Sequence, residues 1–66
     1  MTPTNYLGSD FSGGDGDNNR TMALAELTII AVDNQLLQPT TDYTFSGGTL
    51  TLKNRLWDNQ YVTVWV

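Results

Sequence analysis

The sequence predicts an all-β protein, a small antiparallel β-sandwich or open barrel of about five strands with an extended N-terminal arm. Three observations point there. From Arg20 onward Thr, Val, Ile, Tyr, Phe and Trp dominate, and Gly, Asn, Asp and Pro mark the breaks. Two alternating stretches of matched polarity flank Gly47-Gly48, as a tight hairpin requires. No segment is amphipathic at helical period. With 66 residues there is room for one domain only, read here as an arm over residues 1–19 and an antiparallel β-domain over residues 20–66.

The arm is set apart by composition. It holds Gly8, Gly13, Gly14 and Gly16, and its only large apolar residues after Met1 are Tyr6, Leu7 and Phe11. The run Ser12–Asn19 has too little apolar surface to offset its ordering entropy and should be irregular or extended. A free tail has little use for Tyr6, Leu7 and Phe11. Two readings therefore stand, a flexible tail and an arm that lays these three side chains on a neighbouring subunit by strand addition.

Within the β-domain, Thr21–Leu24 reads as a short strand, with a single helical turn as the alternative because Met-Ala-Leu-Ala favours helix. Leu27–Val32 and Gln35–Gln38 form a hairpin around Asp33-Asn34, and alternation does not decide whether Leu36 or Leu37 faces inward. Asp42–Ser46 and Thr49–Lys53 form the clearest hairpin. A two-residue turn at Gly47-Gly48 pairs Ser46 with Thr49, Phe45 with Leu50 and Tyr43 with Leu52. One face then carries Tyr43, Phe45, Leu50 and Leu52, and the other Thr44, Thr51 and Lys53. Gln60–Val66 closes the domain, with Val62, Val64 and Val66 on one side and Tyr61, Thr63 and Trp65 on the other. The expected core is Tyr43, Phe45, Leu50, Leu52, Val62 and Val64.

Composition narrows the chemistry. The chain has no Cys and no His, which removes disulfides, thiolate metal sites and imidazole catalysis. Three basic against seven acidic residues, net charge −4, argue against a nucleic-acid partner. The longest purely apolar stretch is Ile29–Val32, too short for a membrane span. Gly13-Gly14-Asp15-Gly16-Asp17-Asn18 is similar to a single glycine- and aspartate-rich calcium repeat, but such ligand sets need stacked copies. Asp10, Asp15 and Asp17 sit in a glycine-rich segment without the rigidity that paired catalytic carboxylates require. No enzymatic activity, cofactor or metal is expected.

The aromatic residues carry more. If the valine row of the last strand is buried, Tyr61 and Trp65 are exposed unless something covers them. They anchor an interface or pack under the chain's own arm. The candidate interface set is Tyr6, Leu7, Phe11, Tyr61 and Trp65. For a chain this short, burial and ordering entropy nearly cancel, so a homo-oligomer is expected, a trimer being the favoured state.

Taken as a unit, Leu27–Val66 with its Gly14-Asp15-Gly16 entry resembles a short β-module of tailed-bacteriophage virion proteins. The matching elements are Ile30–Asn34, Leu37-Gln38-Pro39, Asp42-Tyr43-Thr44, Ser46–Leu52 and Val62-Thr63-Val64. Asn34 stands where the family pattern has a turn glycine, and the chain stops at Val66, where a fibre would continue. The resemblance implies structural roles: Pro39 ends a strand, Tyr43 fills the core and Gly47-Gly48 turn the chain. It implies a virion location and partners among other virion subunits, the major capsid protein or tail proteins. The favoured expectation is a capsid decoration or cement protein on the outer head. The alternatives are a tail, neck or fibre-associated subunit, and a carbohydrate-binding β-module.

Overall fold

The computed structural model describes residues 2–66. Among them seven strands run in chain order as β1 (Pro3–Leu7), β2 (Arg20–Ala23), β3 (Ile29–Val32), β4 (Gln35–Leu36), β5 (Tyr43–Ser46), β6 (Thr49–Leu52) and β7 (Tyr61–Trp65). One antiparallel sheet has the order β1-β7-β3-β4 and the other β2-β6-β5. The two form an open sandwich. Its core joins Ile30, Val62 and Val64 of the first sheet to Tyr43, Leu50 and Leu52 of the second, and Phe11 and Leu56 fill in from loops.

The hairpins follow their turn chemistry. Gly47 and Gly48 both have positive φ, and so do Asp33 and Asn34, the backbone that two-residue hairpins with a strand-matching twist require. The register across Gly47-Gly48 pairs Ser46 with Thr49, Phe45 with Leu50 and Tyr43 with Leu52, as the polarity pattern predicts. Leu37 packs against the core while Leu36 is 64% exposed, which settles the inward choice that alternation left open. One expected core position shifts: Phe45 is only partly buried, because β5 is an edge strand. Val66, on the same side as Val62 and Val64 by alternation, lies beyond β7 and is exposed.

The separate arm is not found. Residues 3–7 are β1, paired with β7 over Pro3↔Trp65 to Leu7↔Tyr61. Strand addition does occur, but to the chain's own sheet. A short 3-10 turn at Gly8–Asp10 follows. A Cβ at Gly8 would lie 2.0 Å from the Trp57 carbonyl oxygen, so only glycine lets the chain pass there. Phe11 then enters the core. Residue 1, the first of the expected arm, lies outside the described residues. The folded chain exposes 4055 Å², against roughly 4,200 Å² expected of a compact monomer of this mass.

What holds the glycine-rich segment is Arg20, only 2% exposed. Its Nε donates to the Ser12 carbonyl at 2.8 Å, Nη1 to the Leu56 carbonyl at 2.8 Å and Nη2 to the Phe11 carbonyl at 3.2 Å. Nη2 also lies 2.9 Å from Asp58 Oδ1. One planar fork thus ties β2 to the segment before it and to the loop between β6 and β7. Around it Gly16 N–H donates to the Leu56 carbonyl, Leu56 N–H to the Asp17 carbonyl and Asp58 N–H to Asp15 Oδ1.

Two variants test this account. Leu52→Ala should cost about 2–5 kcal/mol, while Thr51→Ala on the opposite face of the same strand should stay within roughly 0.5 kcal/mol of the parent. Arg20→Met keeps the apolar stem and strands the Phe11 and Ser12 carbonyls, at a cost on the order of 3 kcal/mol. Thermal unfolding followed by circular dichroism measures all three. An Arg20→Met protein melting with the parent would show that the fork contributes little.

Candidate interaction surface

Strand register sorts the candidate residues by face. Thr2 and Val66 exchange both backbone hydrogen bonds, and Gly8 N–H donates to the Gln60 carbonyl. Thr4 and Tyr6 therefore bond to β7 and share the inner face with Val62 and Val64, while Pro3, Asn5 and Leu7 share the outer face with Tyr61, Thr63 and Trp65. Of the five candidate interface residues, Leu7, Tyr61 and Trp65 come together on this outer face. Tyr6 faces inward and packs against the core, and Phe11 is buried in it. Phe11 is thereby taken away from any partner, and Tyr6 is partly buried on the inner face. β1 lies beside β7 rather than over it, so the arm does not cover the aromatic pair: Tyr61 is 62% exposed and Trp65 is partly exposed.

The face has two chemically different ends. At one, Pro3, Trp65 and Ile29 stand in a row across β1, β7 and β3. At the other, Tyr61 is paired with Leu7 and flanked by the Asp33-Asn34 turn, with Asn5 and Thr63 between the two rows. Thr63 Oγ1 donates to Asn5 Oδ1 at 2.7 Å. Asp33 is held at both oxygens, by Gln60 Nε2 and by the Tyr61 N–H. A shallow cavity of about 260 Å³ is lined by Asn5, Asp33, Asn34, Tyr61 and Thr63.

The opposite side of the sandwich is unlike it. Register across β2, β6 and β5 aligns Thr21, Thr51 and Thr44 in one row and Ala23, Thr49 and Ser46 in the next. That face is hydroxyl-rich and has no large apolar residue. The sheet edges are shortened too. On β1's free edge Pro3 has no N–H to offer and Leu7 N–H donates to Asp10 Oδ2. On β2, Ser12 donates its N–H to the Thr21 carbonyl and accepts from the Thr21 N–H through Oγ. On β5, Thr40 N–H donates to the Tyr43 carbonyl, and β4 is two residues long. Edges treated this way resist pairing with another strand, so a partner would meet this molecule through a face.

A second cavity of about 370 Å³ opens between the sheets. Val32, Leu37, Leu52 and Leu56 supply its apolar lining, and Asp42 and Arg55 are among its polar residues. Both charged groups already have structural work. Asp42 accepts from Gln38 N–H and from Asn54 Nδ2. Arg55 Nε donates to the Gly16 carbonyl and its guanidinium stacks 4.9 Å from the Trp57 ring. The same holds in the glycine-rich run, where Asp17 accepts from Gly14 N–H. Among the described residues no three acidic side chains cluster as a metal site would need, and no helix is long and apolar enough to cross a membrane.

Thr40 beside Asp42 has a φ of 71°, a left-handed backbone that a β-branched side chain adopts only under strain. Its carbonyl accepts from Lys53 Nζ. Thr40→Gly should relieve about 1 kcal/mol of strain and raise the melting temperature, and an unchanged or lower melting temperature would argue against that strain.

Sequence reasoning found Tyr61 and Trp65 by parity but missed Asn5, Asp33 and Asn34 around them. Asp33-Asn34 read only as a turn, and Asn5 only as part of the arm. Once β1 is placed beside β7, the same alternation that exposes Tyr61 also exposes Asn5. No protein-family model matches the chain, and no curated protein or solved structure is significantly similar to it. The likeness to phage virion modules therefore rests on its motif order alone.

Proposed function

We propose that this chain is a structural subunit of a tailed-bacteriophage virion, a decoration or cement protein bound to the outer surface of the head. The observation that carries the proposal is the contrast between the two faces. One presents Trp65 with Pro3 and Ile29 and leaves Leu36, opposite Ala31 on the same face, bare; the other presents threonine and serine hydroxyls. A subunit that sits on a shell needs one adhesive side and one side that tolerates water. Aromatic anchors are the residues that most often carry such contacts. The net charge of −4 suits an exterior position better than contact with packaged DNA.

On this reading the partners are the major capsid protein beneath and further copies of the chain beside it. Those copies form a homo-oligomer, with a trimer as the favoured state, whose symmetric contacts add burial to a small domain. The Pro3–Trp65–Ile29 end of the outer face makes the contact with the shell.

Quantitative gel analysis of purified particles gives the copy number. Hundreds of copies per particle support the head position, and a handful would move the proposal to the tail, neck or fibre. Trp65→Ala should lower occupancy on particles by at least about tenfold, the loss of roughly 1.4 kcal/mol, while leaving the melting temperature close to the parent's. Sedimentation of the purified chain should show the trimer at high micromolar concentration, and a well-folded monomer there would overturn the oligomer. Full occupancy by the Trp65→Ala chain would overturn the docking face.

A further inference from the structure

The Tyr61 end of the outer face differs from the Trp65 end in a way that docking does not use. Around one exposed ring stand two amides, a carboxylate and a hydroxyl, all within a shallow cavity of about 260 Å³. These groups are held in place. Asn5 Oδ1 is occupied by the Thr63 hydroxyl, which leaves the two N–H groups of its amide as donors. Asp33 receives the Gln60 side chain and the Tyr61 N–H, which fixes its carboxylate while each oxygen keeps a lone pair. Asn34, at a φ of 68°, is set by the hairpin turn. The Tyr61 backbone is held beside Leu7 on one side and by both hydrogen bonds to Asp33 on the other.

A ligand for this set needs an apolar face to lie on the ring and a rim of hydroxyls to meet donors and acceptors together. Neighbouring hydroxyls on a pyranose ring have that arrangement: C–H groups on one face, and vicinal O–H groups that bond an amide N–H with one lone pair and a carboxylate oxygen with the proton. An anionic ligand would meet the Asp33 carboxylate, and a purely apolar one would strand the Asn5 and Asn34 amides. We infer that the cavity beside Tyr61 is a binding site for a neutral pyranose sugar, stacked on the Tyr61 ring and hydrogen-bonded by Asn5, Asp33 and Asn34.

Trp65 and Tyr61 stand in different rows of the face, opposite Pro3 and Leu7, so the site and the docking end can be altered one at a time. The free ligand contacts are few and open to water, so single-site affinity should be weak and repeated copies should raise it.

The test is a titration of the full-length, isotopically labelled chain with methyl glycosides of glucose, galactose, mannose and N-acetylglucosamine, read by amide chemical shifts. At least one glycoside should shift residues 5, 33, 34, 61 and 63 in a saturable way. Tyr61→Ala should weaken that binding by about tenfold or more, and Tyr61→Phe should retain it. Asn34→Gly, which suits the positive φ and removes only the amide, should weaken it with the fold intact. No saturable shift with any of the four would overturn the inference. So would shifts confined to the cavity between the sheets, or binding unaltered in Tyr61→Ala. Loss of particle occupancy in Trp65→Ala with sugar binding intact, or the converse, separates this inference from the docking proposal.

Discussion

The fold depends on where one buried guanidinium finds its acceptors. Arg20 carries the positive charge that the sandwich encloses, and a cation so placed persists only with its hydrogen bonds met and its charge answered. Three carbonyls and the Asp58 carboxylate meet both needs. Those acceptors come from the segment before β2 and the loop before β7, so satisfying Arg20 brings the two together. The bridge of Asp17 to Leu56 and the close passage of Gly8 over Trp57 follow from that approach. The glycine-rich segment, which has no core of its own, is ordered because it serves as the inner coordination of an arginine.

The same need explains how the aspartates are used. Asp10, Asp15, Asp17, Asp33 and Asp42 each accept from a backbone N–H, and Asp58 pairs with Arg20. In a chain with little regular helix and short strands, many amides have no ladder partner. Short acidic side chains satisfy them locally. The acidity of the sequence is largely turn chemistry.

Much of the β-domain was legible because local rules agreed with each other. At Gly47-Gly48, turn residues and side-chain alternation gave one register, and the structure has it. Tyr61 and Trp65 were legible as an outward pair for the same reason of parity. The arm was misread because composition argues about what a segment can do alone, and residues 1–19 are not alone. Tyr6 faces the valine row it was not known to adjoin, and Phe11 fills a gap between loops that alternation cannot see. Arg20 shares parity with Met22 on β2 and so belonged on the inner face, but an arginine at an inner position reads as a strand end until its acceptors are known. The surroundings of Tyr61 stayed hidden for a related reason. Asn5 and Asp33 are 28 residues apart in sequence and meet only across β7.

β7 lies between β1 and β3, with Val64 opposite both Thr4 and Ile30. The four-stranded sheet is therefore completed by pairing between distant parts of the sequence. Residues 20–52 contain all of the three-stranded sheet, and residues 29–36 contain the β3–β4 hairpin, so neither needs β7. β1 pairs with β7 alone. Until residues 61–65 are in place it has no partner, and its Tyr6 and Leu7 are open to other chains. Pairing that spans nearly the whole chain is also slow to form. The proline at one end of β1 and the aspartate that holds the Leu7 amide at the other therefore act during that wait as well. They keep this strand from joining a stranger before its own partner is in place.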